Sequence, residues 1–181
     1  MKPIHVNIVS TSPMEQSRSR TALMYAAEQL RAVPGIVVSV TDLRELSIDA
    51  YPGPERHPRR DAAVADFNAA DAVVIGVPVH CWGPASNAVA FLAHALDPEK
   101  GKRFRPFLIL GGAGGRSALL ALDGVVRTIL TEIDAVIVGR PVMIAGDDAD
   151  LEAGTLQDAV AKRLGVAVDA LVACLGAGRD Q

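Results

Sequence analysis

Apolar positions in this chain fall into two alternating rhythms. Five short runs rich in β-branched residues, 4–9, 36–40, 72–77, 107–110 and 135–144, have the near-continuous apolar character of strands covered on both faces. The last is interrupted by Gly139 and Pro141. Between them lie longer segments with helical spacing. Residues 19–33 set Leu23, Ala26, Ala27 and Leu30 on one face, and residues 61–70 group Val64, Phe67 and Ala70. Segments 85–96, 117–133 and 156–175 complete the set. Five strand–helix alternations require crossover connections and hence a parallel sheet. The expectation is an α/β fold with five parallel strands in the order 2-1-3-4-5 and helices on both faces. The longest irregular stretch, 42–60, carries Pro52, Pro54, Pro58, Arg56, Arg59 and Arg60 and is read as a solvated connection.

Composition narrows the class. With 181 residues, 50% apolar and 22% charged, the chain suits one domain spanning 1–181 and is too apolar for disorder. A net charge of −3 argues against a nucleic-acid binder. Two cysteines, Cys81 and Cys174, cannot build a disulfide framework or a four-thiolate zinc site. No apolar run approaches the ~20 residues of a membrane span, and His5 and Asn7 break up the N-terminal run that a signal peptide would need. A soluble, cytoplasmic protein is expected.

In open α/β sheets ligands sit beyond the strands' carboxyl ends, which singles out three loops. The first, 10–20, crowds Ser12, Ser17, Arg18 and Ser19 between a strand end and a helix start. Unpaired N–H groups at a helix N-terminus, hydroxyls and a guanidinium together suit a phosphate. Helix capping by Ser17 or Ser19 is the plainer role and is compatible with it. Neither a nucleotide P-loop nor the dinucleotide Gly-x-Gly-x-x-Gly pattern is present.

Ser12-Pro13 followed by Ser17-Arg18-Ser19-Arg20 resembles the first loop of the NADPH-dependent FMN reductases, closest to the branch serving alkanesulfonate monooxygenases. Asp42-Leu43-Arg44-Glu45-Leu46, the Ala70–Val79 segment with its Val-Pro-Val end, and Gly111-Gly112 before Leu119–Asp123 resemble further stretches of the same family in the same order. The resemblance covers nearly the whole chain. It implies a flavodoxin-like three-layer sandwich that binds FMN and takes a hydride from NADPH or NADH. It also implies a homodimer or homotetramer and, as partner, a flavin-dependent monooxygenase.

The second loop, 77–87, keeps the family's Pro at Pro78 but has His80 where a Tyr stands, Ser86 for a Gly and Val89 near the position of a Lys. In the family this loop packs on the flavin, so Pro78, Val79, His80 and Trp82 are carried over as contacts. For Trp82, the chain's one tryptophan, a core or interface anchor is an equal alternative. Cys81 reads as a small buried group rather than the nucleophile of a cysteine hydrolase. No further Cys or His stands at ligand spacing from His80 and Cys81. The third loop has four glycines in five residues, 111–115; Gly111 and Gly112 match the family, and Arg116 is read as a solvated side chain. Hydride transfer to a flavin needs no protein nucleophile, so no catalytic residue is assigned. Two alternatives stand beside the reductase: an FMN-retaining quinone or azo reductase, and a non-enzymatic binding module on the same fold.

Overall fold

The computed structural model describes residues 2–46, 48, 57–96 and 104–176. Parallel strands β1 (Ile4–Ser10), β3 (Ala72–His80) and β5 (Pro106–Ala113) form the centre of the sheet, with parallel β2 (Ile36–Asp42) at the edge beside β1. The sheet holds seven strand segments rather than the expected five, in the order β2-β1-β3-β5-β6 with two segments off that path. One, β4 (Gly83–Pro84), folds back antiparallel onto the end of β3. The other arises because the edge position is split into β6 (Val136–Ile137) and β7 (Val142–Ala145), both parallel to β5. Gly139 at φ +64° and Pro141, which has no N–H to donate, break the ladder between them. A two-stranded antiparallel hairpin, β8 (Ala149–Asp150) and β9 (Thr155–Leu156), follows.

Successive strand residues face opposite layers. Val6, Ile8, Val74, Leu108 and Leu110 pack on one side against α1 (Arg18–Arg31) and α6 (Asp158–Leu175). Val9, Val73, Ile75, Phe107 and Ile109 pack on the other against α2 (Pro58–Ala69), α3 (Ser86–Ala95) and a helical stretch from Arg116 to Ile133. That stretch is not one regular helix. Its α-helical turns, α4 (Leu119–Ala121) and α5 (Arg127–Leu130), are separated by a π-helical segment, Leu122–Val126, and end in 3-10 turns. The result is the expected three-layer sandwich.

α2 buries only Arg60 and Phe67, so polar bonds help seat it. Its Asp66 accepts from Asn7 Nδ2 and Ser39 Oγ, each at 2.7 Å. Arg60, read from sequence as part of a solvated connection, is buried and pairs with Asp61 at 3.1 Å; Pro52, Pro54 and Arg56 of that connection lie outside the described residues.

Candidate functional site

The site begins where β1 hands the chain to α1. Thr11 is buried, and both its N–H and its hydroxyl donate to the Gly76 carbonyl of β3, at 3.1 and 2.9 Å, which pins the loop to the neighbouring strand. Ser12 Oγ then accepts from Met14 N–H at 3.1 Å and turns the chain outward. Ser17 caps α1: its Oγ accepts from Arg20 N–H at 3.3 Å and lies 3.0 Å from Ser19 Oγ. Arg18 Nε donates to the Gly146 carbonyl at 2.8 Å, tying the helix start to the turn before β8.

β5 closes the site from the other side. A Cβ on Gly112 would stand 2.6 Å from Ser19 N and 3.1 Å from Arg18 Cβ, so glycine is what allows the first turn of α1 to press onto the strand end. Ser12, Ser17, Arg18, Pro78, Val79, His80 and Gly112 all line one cavity of about 250 Å³ there. Three expected residues do not. Ser19 is buried beneath the loop, and Gly111 faces the opposite layer, where a Cβ would run into Leu122 and Met143. Trp82 stands 68% exposed outside the lining. Ser86 and Val89 also lie outside it, at the exposed start of α3.

The second loop is a two-residue hairpin. His80 pairs with Gly83, and the residues between them, Cys81 and Trp82, have φ of +48° and +63°. Positive φ at both central positions defines a type I′ turn, which favours Asn-Gly; an L side chain there costs about 1–2 kcal/mol per residue. The turn throws both side chains outward, so Cys81 is exposed rather than buried. His80 is exposed at the end of β3.

Sequence reasoning missed Met14, Gln16, Ala113, Gly114 and Leu151 as lining residues. Gly114 sat inside the glycine run already singled out, whereas nothing marked Leu151, which the turn between β8 and β9 brings over the cavity. That hairpin is braced by Asp148, which is buried, accepts from Ala145 N–H at 3.0 Å and pairs with Arg116 at 2.6 Å. Arg116 is exposed, as read from the sequence, and is also ion-paired with Asp148.

The model of the NADPH-dependent FMN reductase family matches residues 4–150. The chain belongs to that family. It is accordingly an oxidoreductase, and flavin reduction is its class of activity. Solved structures agree on the fold. An apo NADH:FMN oxidoreductase superposes with a TM-score of 0.77 at 20% identity, covering 98% of this chain and 91% of that one. An oxidoreductase from Corynebacterium diphtheriae gives 0.78 at 21% identity, covering 96% and 97%. An azoreductase from Bacillus anthracis gives 0.63 at 17% identity, covering 93% and 99%. No curated protein matches by sequence. Among the described residues no helix is long and apolar enough to cross a membrane, and no group of three His, Cys, Asp or Glu side chains could hold a metal ion.

Proposed function

We propose that the chain is an NAD(P)H-dependent FMN reductase whose flavin occupies the cavity at the carboxyl ends of β1, β3 and β5. The observation that carries this reading is the convergence of Ser12, Ser17 and Arg18, at the start of α1, on a wall made by Pro78, Val79 and Gly112. The donor set suits the group: hydroxyls, helix-start N–H groups and a guanidinium favour a phosphate, and the Gly112–Gly114 backbone leaves room for a flat ring.

When bound, FMN supplies the two-electron acceptor, chemistry that belongs to the cofactor. The chain's residues hold and shield. Ser12, Ser17 and Arg18 anchor the phosphate. Pro78, Val79 and His80 would line the site and shield the bound ring from water. Trp82, displayed outside the lining on its strained turn, would be free to stack on an exposed part of the bound flavin. Flavin exchanges freely and is used as a substrate, which suits delivery of reduced FMN to a flavin-dependent monooxygenase. The protein works as one domain, in the cytoplasm, as a homodimer or homotetramer.

An FMN-retaining azo or quinone reductase is the second reading, favoured by likeness in fold to the azoreductase. Purification followed by dialysis separates the two. Loss of flavin with turnover restored only by added FMN supports the exchanging reductase. Stoichiometric flavin surviving dialysis, with quinone turnover, supports the alternative. Failure to bind any flavin removes both.

A further inference from the structure

A second concavity among the described residues is larger than the one at the strand ends. A groove of about 460 Å³ runs along the open edge of the sheet, where the break between β6 and β7 leaves the two helix layers without a strand between them. Its floor is apolar: Leu119, Val138, Pro141, Met143, Val166 and Ala167. The volume falls in the range of small-molecule sites, about 300–1,000 Å³.

Charge is confined to the rim and is unbalanced. Arg116, Arg140 and Arg163 border the groove, and the acid beside them is the buried Asp148. Asp148 lies 2.6 Å from Arg116 Nη2 and 3.8 Å from Arg163 Nη2. Arg163 also donates to the Met143 carbonyl at 2.7 Å, which fixes its guanidinium at the mouth. Arg140, at the break itself, is exposed and makes no ion pair among the described residues. Three guanidinium groups against one carboxylate leave a cationic mouth over an apolar floor.

We propose that this edge groove binds an amphipathic organic acid, with its apolar body on the Val138–Met143 and α6 floor and its single anionic head between Arg140 and Arg163. The size of the groove suits a small molecule, and its charge selects against neutral and cationic analogues. A polar head buried without a partner would be costly, which is why the cations stand at the mouth and not on the floor. The site is separate from the strand-end cavity and does not depend on flavin.

The test uses the full-length protein and three probes of equal chain length: decanoate, decan-1-ol and decyltrimethylammonium, followed by calorimetry and by ligand-observed NMR below their micelle concentrations. Decanoate should bind at least tenfold more tightly than the other two. Arg140→Glu should cost decanoate about tenfold and leave decanol unchanged. Ala170→Trp, at an exposed position of α6 that lines the groove, should abolish binding of decanoate while the circular dichroism spectrum stays that of the parent. Equal affinity for decanoate and decanol overturns the proposal, as does decanoate binding unaffected by Ala170→Trp. NADPH displacing decanoate competitively overturns it in favour of a nucleotide subsite. A chain that binds no decanoate, and that Ala170→Trp converts from dimer to monomer in sedimentation, overturns it in favour of a second copy on this face.

Discussion

The cavity at the strand ends and the groove at the sheet edge share the Arg116–Asp148 pair as a neighbour, yet they are built from opposite materials. Hydroxyls, a helix start and bare backbone converge on the first, and a single glycine, Gly112, lets them meet. The second has an apolar floor with its charges held at the mouth. The first is a property of the fold: parallel strands end together, and a helix N-terminus follows each crossover. The second arises from a local accident of sequence, Gly139 and Pro141 in what is otherwise a strand. A fold places its inherited site where topology dictates, while new concavities open where the ladder fails.

Substitutions should separate the two regions. The largest effect is expected at Gly112. Gly112→Val pushes a side chain into Ser19 N and Arg18 Cβ, so it should cost about 1–3 kcal/mol of stability by overpacking and displace the start of α1. FMN affinity should fall by more than a hundredfold in a fluorescence titration while decanoate affinity in the edge groove stays within twofold. Unchanged FMN affinity would mean that α1 need not press on β5. Next comes Arg18→Ala. Losing a charge-assisted hydrogen bond should weaken FMN by about 1.5–3 kcal/mol, roughly one to two decades. Equal dissociation constants for the two proteins would leave Arg18 only its bond to the Gly146 carbonyl.

Trp82→Gly should move stability and binding in opposite directions. The type I′ turn gains about 1 kcal/mol when strain at φ +63° is relieved, read as a higher urea midpoint. Lost stacking should weaken FMN by about 0.5–1.5 kcal/mol. A drop in both, or in neither, contradicts a role for the strained turn in displaying the indole.

The smallest effect lies far from both concavities. Arg105 is 3% exposed and donates to the Phe67 carbonyl, and its guanidinium lies over the Phe67 and Phe107 rings at 4.4 and 5.0 Å from their centroids. Burial pushes its pKa down from the ordinary guanidinium value to about 10. In that window the unfolded chain holds more protons than the folded one, so this group's contribution to stability rises with pH. Arg105→Met should remove that rise above about pH 10 in denaturant titrations. A slope identical to the parent's shows that Arg105 does not titrate there.

Much of this was readable in the amino-acid order, for reasons that differ by element. The central strands and α1 were legible because burial on both faces or one face stamps a period onto the sequence. Ser17 was legible because a helix start needs a cap whatever binds there, and Arg18 because a cation beside a positively polarised helix start has no reason in capping and points to an anion. The split edge was half legible: Gly139 and Pro141 marked the interruption, but not that it opens a groove between two layers. Cys81 was misjudged as buried, and the tight turn at Cys81 and Trp82 was missed, because Cys-Trp carries no turn signal. Only the pairing of His80 with Gly83 forces them into positive φ. Arg60 looked solvated because its burial is a tertiary fact, and the pairing of exposed Arg116 with Asp148 was not legible for the same reason. Leu151 had no signal, since its position depends on a hairpin braced from a loop more than thirty residues away, at Arg116.

The most direct measurement is an anaerobic titration of the purified, flavin-free protein with FMN, followed by NADPH and then NADH, recorded by flavin absorbance in wild type and Arg18→Ala. A reductase with its phosphate anchor at Arg18 should bind FMN saturably, bleach it with nucleotide in the absence of oxygen, and oxidise nucleotide over multiple turnovers once oxygen is readmitted and reoxidises the flavin. The variant should need roughly ten- to a hundredfold more FMN for the same rate. Flavin that neither binds nor bleaches with either nucleotide, in a protein whose circular dichroism shows it folded, would contradict the assignment of this cavity as a flavin site.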